Sequence, residues 1–214
     1  MQLTGPRASS RLASQAGFSL VEILVATGIG MVAFLTAASF NRFQLFALRN
    51  QATQLDVQTT ARSVVDLMAR EVRRAGKDPT CAKAFNAIAA ATSQSIRVQA
   101  DLDGDGAVTG TNEDITYSYD SSSNTIWRTA NGSTSRLMSG WNMTGSKLRY
   151  FDQSGTELTG SLSAAQLATV RRVRVELVLA AAAVDPRNSQ PLVTRVASNI
   201  DLRNRFFVSG TGCP

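Results

Sequence analysis

The chain has 214 residues, a formal charge of +6, and 43% hydrophobic against 18% charged residues, enough apolar content for one packed domain plus an additional segment. It contains no histidine, which excludes a Ser-His-Asp triad, a Cys-His dyad and any His-ligated zinc site. Its two cysteines, Cys81 and Cys213, form no metal-binding spacing, and its arginines scatter where a nucleic-acid footprint would cluster.

Residues 1–17 are polar and small, with Arg7 and Arg11 as their only charges. Phe18 to Phe40 follows, 23 residues with a single charge, Glu22. At about 1.5 Å per residue such a helix crosses a hydrocarbon core of roughly 30 Å. Arg7 and Arg11 fit the cytoplasmic end, which puts the C-terminal part on the other side.

Glu22 is the anomaly. An acidic side chain within a membrane helix costs about 2.5–3.5 kcal/mol even on lenient insertion scales. Its own helix offers no cation. A new amine on Phe18, made by cleavage after Gly17, would supply one, as would the amine of a neighbouring subunit. Two plainer readings compete. A secretory signal peptide with a cut near Thr36-Ala37-Ala38 sits badly with a carboxylate in its apolar region. An ordinary single-pass anchor gives Glu22 no purpose.

The run Gly17-Phe18-Ser19-Leu20-Val21-Glu22 resembles the type IV prepilin signature: Gly before the cut, Phe after it, Glu at the fifth mature position. The resemblance implies that a prepilin peptidase cuts between Gly17 and Phe18 and methylates the Phe18 amine. It also implies that the apolar segment is retained as filament core and that Glu22 pairs with an N-terminal amine to set register. Cleavage would remove Arg7 and Arg11 and leave a charge of +4. Many major pilins have a proline where this chain has Ser39, so no kink is forced there. That absence leans toward a minor pilin or a pseudopilin.

The helix is expected to continue past the membrane, since residues 42–75 lack both proline and glycine. Val57, Ala61, Val64, Met68, Val72 and Ala75 fall on one helical face. Gly76 suits the position just after a helix, Arg73 and Arg74 suit its last turn, and Pro79 stops it. After Pro79 the texture turns to strands: Ser95–Ala100, Asp114–Tyr119, Asn124–Arg128, Lys147–Phe151, Val173–Leu179 and Leu192–Ala197. Asp120–Asn124 and Asp152–Gly155 read as hairpin turns, Ser163-Ala-Ala-Gln166 as a capping box for a short helix, and 186–191 as a loop. The expected fold is α+β, one long N-terminal helix packed on an antiparallel sheet, as in pilins. Its expected divisions are a leader at 1–17, a membrane and filament helix at 18–40, an amphipathic continuation at 41–76 and a β-rich head at 77–214.

Met68–Gly76, Asn112–Tyr119 and Val170–Leu177 are similar to PilW-type minor pilins, and J-type minor pseudopilins of type II secretion share the pattern. The PilW resemblance implies a role in priming pilus assembly within a tip complex. It implies as partners the prepilin peptidase, other minor and major pilins and a large adhesin-like tip protein. The chain would sit in the inner membrane with its head in the periplasm before assembly, and on the pilus at the cell surface afterwards. No catalytic residues are expected.

Asp101-Leu-Asp103-Gly-Asp105-Gly106 matches the first half of an EF-hand loop, but position 12 is Asn112 and the glutamate falls one place late, at Glu113. Two readings stay open: a Ca²⁺ loop using Asp101, Asp103, Asp105 and Glu113, or a solvated Asp/Gly turn. No other cofactor is expected. An extracytoplasmic head permits a Cys81–Cys213 disulfide. Arg171, Arg172 and Arg174, and Arg70, Arg73, Arg74 and Lys77, are the places where DNA could touch. Helix-end arginines more often serve the helix dipole, and DNA is not expected as a partner. Trp127 and Trp141 fit core or interface better than a stacking platform.

Overall fold

A computed structural model describes residues 17–81, 85–181 and 191–205. Its first helix, α1, runs Leu20–Arg74 without a break. The chain divides into two compact units between Phe46 and Ala47.

The first unit contains the apolar start of α1. It is the one described helix long and apolar enough to cross a membrane, and none of that apolar window is buried. Phe18, Leu20, Leu24, Phe34 and Phe40 all stand exposed. Thr27, Thr36 and Ser39 turn their hydroxyls back onto carbonyls of the preceding turn, which hides their polarity within the helix.

In the second unit the later turns of α1, with Ala75 just after them, bury one stripe: Val57, Ala61, Val64, Val65, Met68, Ala69, Val72 and Ala75. Every position of the expected stripe is in it. The helix ends at Arg74, one residue before the end at Ala75 that Gly76 as the following residue implies. Gly76 follows at φ +77°, and a Cβ there would meet that of Ala87 at 2.8 Å. Its N–H donates to the Gln99 carbonyl at 2.8 Å, so the chain leaves the helix by joining the sheet.

The head holds two antiparallel sheets where one was expected. The first has the order β1-β2-β3-β4-β5 and is a meander: β1 Ile88–Ala91, β2 Ser95–Gln99, β3 Asp114–Asp120, β4 Thr125–Ala130, β5 Ser133–Met138. The second has the order β7-β6-β8-β9: β6 Lys147–Phe151, β7 Glu157–Leu158, β8 Arg172–Ala181, β9 Leu192–Asp201. The short helix α2, Ala164–Thr169, precedes β8, and the expected Ser163/Gln166 capping box is formed. Both sheets and α1 share one core. β8 alternates strictly, with Val173, Val175, Leu177, Leu179 and Ala181 inward. Tyr150 on β6 crosses between the sheets, donating its hydroxyl to the carbonyls of Thr92 at 2.8 Å and Ser95 at 3.0 Å.

Candidate functional site

At the start of α1, Gly17 and Phe18 precede the helix and are exposed, and Glu22 lies in its first turn. A carboxylate in a helix's first turn lies at the positive end of the helix dipole, which favours its charge. Gly17, Phe18 and Glu22 are thus adjacent and open, in an apolar helix with no other charge before Arg42.

In the head, the acidic loop begins where the chain leaves α1. Asp101 N–H donates to the Lys77 carbonyl at 2.8 Å. Asp101 is fully buried, and its two oxygens accept N–H groups from Gly104 at 2.6 Å and Gly106 at 2.9 Å. Glu113 is buried as well. One of its oxygens accepts from Leu102 and Asp103, at 2.7 and 3.2 Å, and the other from Gly110 at 2.6 Å. These two carboxylates therefore organise the loop's own backbone, a role that spacing alone does not reveal.

Asp103 and Asp105 remain exposed. One oxygen each from Asp101, Asp103 and Asp105 lies within 4.8 Å of the others. Glu113 is not in that trio, although its carboxylate and that of Asp103 both converge on Gly110, where a Cβ would meet them at 2.6 and 2.8 Å. A backbone N–H from Asp105 lowers the Asp103 pKa, but partial desolvation and the neighbouring carboxylates Asp105, Glu113 and Asp101 together hold it above its ordinary value. Hard oxygens gathered this way have the chemistry of a divalent-cation site. All four expected ligands already accept backbone N–H groups, Asp103 from Asp105 at 3.2 Å and Asp105 from Ala107 at 2.8 Å.

A second constellation escaped the sequence reading. Glu71 on α1 is buried, and Arg128 on β4 grips both its oxygens, Nε to Oε2 at 3.1 Å and Nη2 to Oε1 at 2.8 Å. The Tyr117 hydroxyl, from β3, donates to the same carboxylate. Arg128 Nη2 also donates to Asn112 Oδ1 at 2.6 Å, and the Asn112 N–H donates to Asn131 Oδ1 at 3.0 Å. Asn131 in turn donates to the Thr109 carbonyl at 3.0 Å. The seat of α1 and the far side of the acidic loop are thus joined by one chain of hydrogen bonds. Burial, then the Glu71 carboxylate, pushes the Tyr117 pKa far up, and the hydrogen bond to Glu71 raises that of Arg128. The available signal was an acidic residue beside an otherwise apolar helical stripe.

The remaining candidates are placed as follows. Arg172 donates to Asp201 at 2.8 Å, Arg174 to Glu176 at 2.6 Å, and Arg171 to the carbonyls of Ala168 and Val170 at 3.2 Å. Arg70, Arg73, Arg74 and Lys77 are exposed at the end of α1, whose last carbonyls accept the side-chain amide of Asn204 at 3.2–3.4 Å. Trp127 and Trp141 are half-buried, and Trp141 packs against the core. Cys81 is exposed at φ +59°; Cys213 lies outside the described residues.

A family model described as prepilin peptidase-dependent protein B matches residues 50–197. The match takes in the seated half of α1 and nearly all of both sheets. No curated protein matches the chain. No solved structure matches it either.

Proposed function

We propose that this chain, which belongs to the prepilin peptidase-dependent protein B family, works as a PilW-like minor pilin of a type IV pilus, helping to prime assembly within a tip complex. The observation that carries this reading is Glu22 in the first turn of an exposed apolar helix, four residues after Phe18. No cation on that helix answers it before Arg42. A positive charge made by cutting after Gly17 does, and a carboxylate in lipid needs such a partner. In this reading residues 1–17 are a leader, 18–40 the membrane and filament segment, 41–76 its amphipathic continuation, and 77–214 the head.

Prepilin peptidase cuts between Gly17 and Phe18 and methylates the Phe18 amine. The cut chain waits in the inner membrane with its head in the periplasm, then enters the fibre by helix packing, with Glu22 setting register against an N-terminal amine. Other minor and major pilins are its neighbours, and an adhesin-like tip protein its cargo. It has no catalytic role. A Cys81–Cys213 bridge closes a loop of about 133 residues. Such a bridge is worth about 5 kcal/mol in the chain-entropy model, and mass spectrometry with and without reductant reads it.

The deciding experiment is mass spectrometry of the mature N-terminus. N-methyl-Phe18 supports the reading; an N-terminus at Ser39 makes the segment a cleaved signal and ends it. The same residues would serve a minor pseudopilin of type II secretion, which the absence of proline at Ser39 equally suits. A deletion strain separates the two: it loses pili and twitching in one case, exoprotein secretion in the other.

A further inference from the structure

Like charges set directly opposite one another across paired strands destabilise a sheet unless something answers them. The outer face of the second sheet carries such a pair. Arg149 on β6 stands directly opposite Arg174 on β8, and Lys147 stands opposite Glu176 on the same two strands. The three cations converge on one carboxylate. Glu176 Oε1 accepts from Arg174 Nε at 2.6 Å and from Arg149 Nη1 at 3.5 Å, and Glu176 Oε2 lies 4.0 Å from Lys147 Nζ. Glu157 on β7 adds a second carboxylate, bonded to Nε and Nη2 of Arg149. Three positive charges thus meet two negative ones, an excess of one.

The donors left over show what would cover that excess. Nη1 and Nη2 of Arg174 have no partner among the described residues. Lys147 Nζ is beyond hydrogen-bond reach of Glu176. Arg149 spends Nη1 on one long contact, and its guanidinium carbon lies 5.4 Å from the centre of the Phe151 ring. Both arginines are therefore held in place by bonds that leave other N–H groups free. The side chains of Arg149, Arg174 and Lys147 are 31%, 37% and 51% exposed, so a ligand can reach them. A guanidinium already fixed in place loses less freedom when it binds an anion.

We infer that Lys147, Arg149 and Arg174 form a binding site for a phosphate monoester on the outer face of β6 and β8. A carboxylate has two oxygens and a phosphodiester two unbridged ones, so either leaves one of the three cations unanswered. A monoester presents three oxygens and close to two negative charges, one oxygen for each cation. The same count disfavours a nucleic-acid backbone, whose phosphates are diesters. The site lies wholly within the head and is independent of the pilin reading.

The full chain in micelles of an uncharged detergent, titrated with glycerol 3-phosphate, tests the site. Saturable shifts of the backbone amide signals are expected in Lys147–Phe151 and Arg172–Glu176. Dimethyl phosphate, a diester, should bind about tenfold more weakly or worse. Arg174→Gln, checked for unchanged amide exchange in β8 and β9, should weaken glycerol 3-phosphate by a similar factor, and Arg136→Gln on β5 should not. Tighter binding to micelles doped with phosphatidic acid than to glycerol 3-phosphate would name a lipid headgroup as the source of the ester; equal binding would name a soluble one. No saturable shift with either monoester, equal affinity for monoester and diester, or an Arg174→Gln chain that binds as before overturns the proposal.

Discussion

Arg128 and Glu71 form a two-point contact between β4 and α1, at 3.1 and 2.8 Å, in a site where the Glu71 side chain is 7% and the Arg128 side chain 16% exposed. Neither charge has water enough to replace the other. Removing one partner of such a pair costs about 3–5 kcal/mol, because the remaining charge stays buried alone. Arg128→Met should therefore lower unfolding stability by about that amount. The double variant Glu71→Met/Arg128→Met should recover much of the loss, since two apolar groups can fill the space. Denaturant unfolding of both variants measures this. A single-variant loss under about 1 kcal/mol would show that the contact does not seat the helix.

Two tyrosines set an alkaline limit. Tyr117 and Tyr150 are both almost fully buried, and burial holds the pKa of each well above the ordinary 10.0. The unfolded chain loses these protons first, so it binds fewer protons than the native state and stability falls as pH rises. The contribution is intact below the ordinary value of 10.0 and is lost progressively above it. Unfolding midpoints measured from pH 8 upward should decline beyond about pH 10. Tyr150→Phe should flatten that decline while costing about 1 kcal/mol at neutral pH for its lost hydrogen bonds. An unchanged alkaline slope in both Tyr→Phe variants would assign the decline elsewhere.

Much of the fold was legible because periodicity and burial agreed. The α1 stripe, the alternation of β8, the five-residue β6 and the Ser163 cap all appear where the pattern puts them. β1 was missed because Ile-Ala-Ala-Ala carries no strand preference. β5 was missed because Ser133–Arg136 is exposed on both faces and shows no period of two. The signal for it was nevertheless present: Asn131-Gly132, with φ of 48° and 81°, is a two-residue hairpin turn joining Ala130 to Ser133. The division into two sheets depends on which strand passes Tyr150 beneath Thr92 and Ser95, a long-range fact that no local pattern encodes. The acidic loop was found, but its carboxylates were read as equal. The structure separates the buried pair, Asp101 and Glu113, from the exposed pair, Asp103 and Asp105.

That separation predicts two different outcomes within one loop. Asp101→Ala and Glu113→Ala leave the half-buried N–H groups of Gly104, Gly106, Leu102 and Gly110 without these acceptors. Each should cost about 1–3 kcal/mol whether or not calcium is present. Asp103→Asn and Asp105→Asn should leave stability nearly unchanged in chelator. If the loop holds Ca²⁺, calorimetry of the full chain gives heat at millimolar calcium or below, and these two substitutions abolish it. Absence of heat at millimolar calcium assigns the loop to the plain Asp/Gly turn.

Gly76 tests the exit from α1. Its φ of +77° disfavours any side chain, and the Ala87 Cβ would lie 2.8 Å from a new Cβ. Gly76→Ala should cost upward of about 1 kcal/mol from conformation alone, and the clash adds to it. Ala87→Gly beside it should relieve the clash but not the conformational part. A thermal shift for Gly76→Ala no larger than for an exposed strand substitution would mean that the helix end can rearrange freely.

Glu22 tests the functional reading at its weakest and most specific point. Glu22→Gln keeps size and removes charge, so the helix should insert in the membrane at least as well as before. What it loses is the charge-assisted contact with an N-terminal amine, worth on the order of 1.5–3 kcal/mol. Recovery of the chain in sheared fibres should then drop by about tenfold or more while its membrane level holds. The comparison must be made on chains already cut after Gly17, as judged by mass, because an uncut chain offers no amine and would be excluded for a different reason. Fibre recovery unchanged in a correctly cut Glu22→Gln chain would remove the need for the amine, and with it the reason for preferring a pilin to an ordinary membrane anchor.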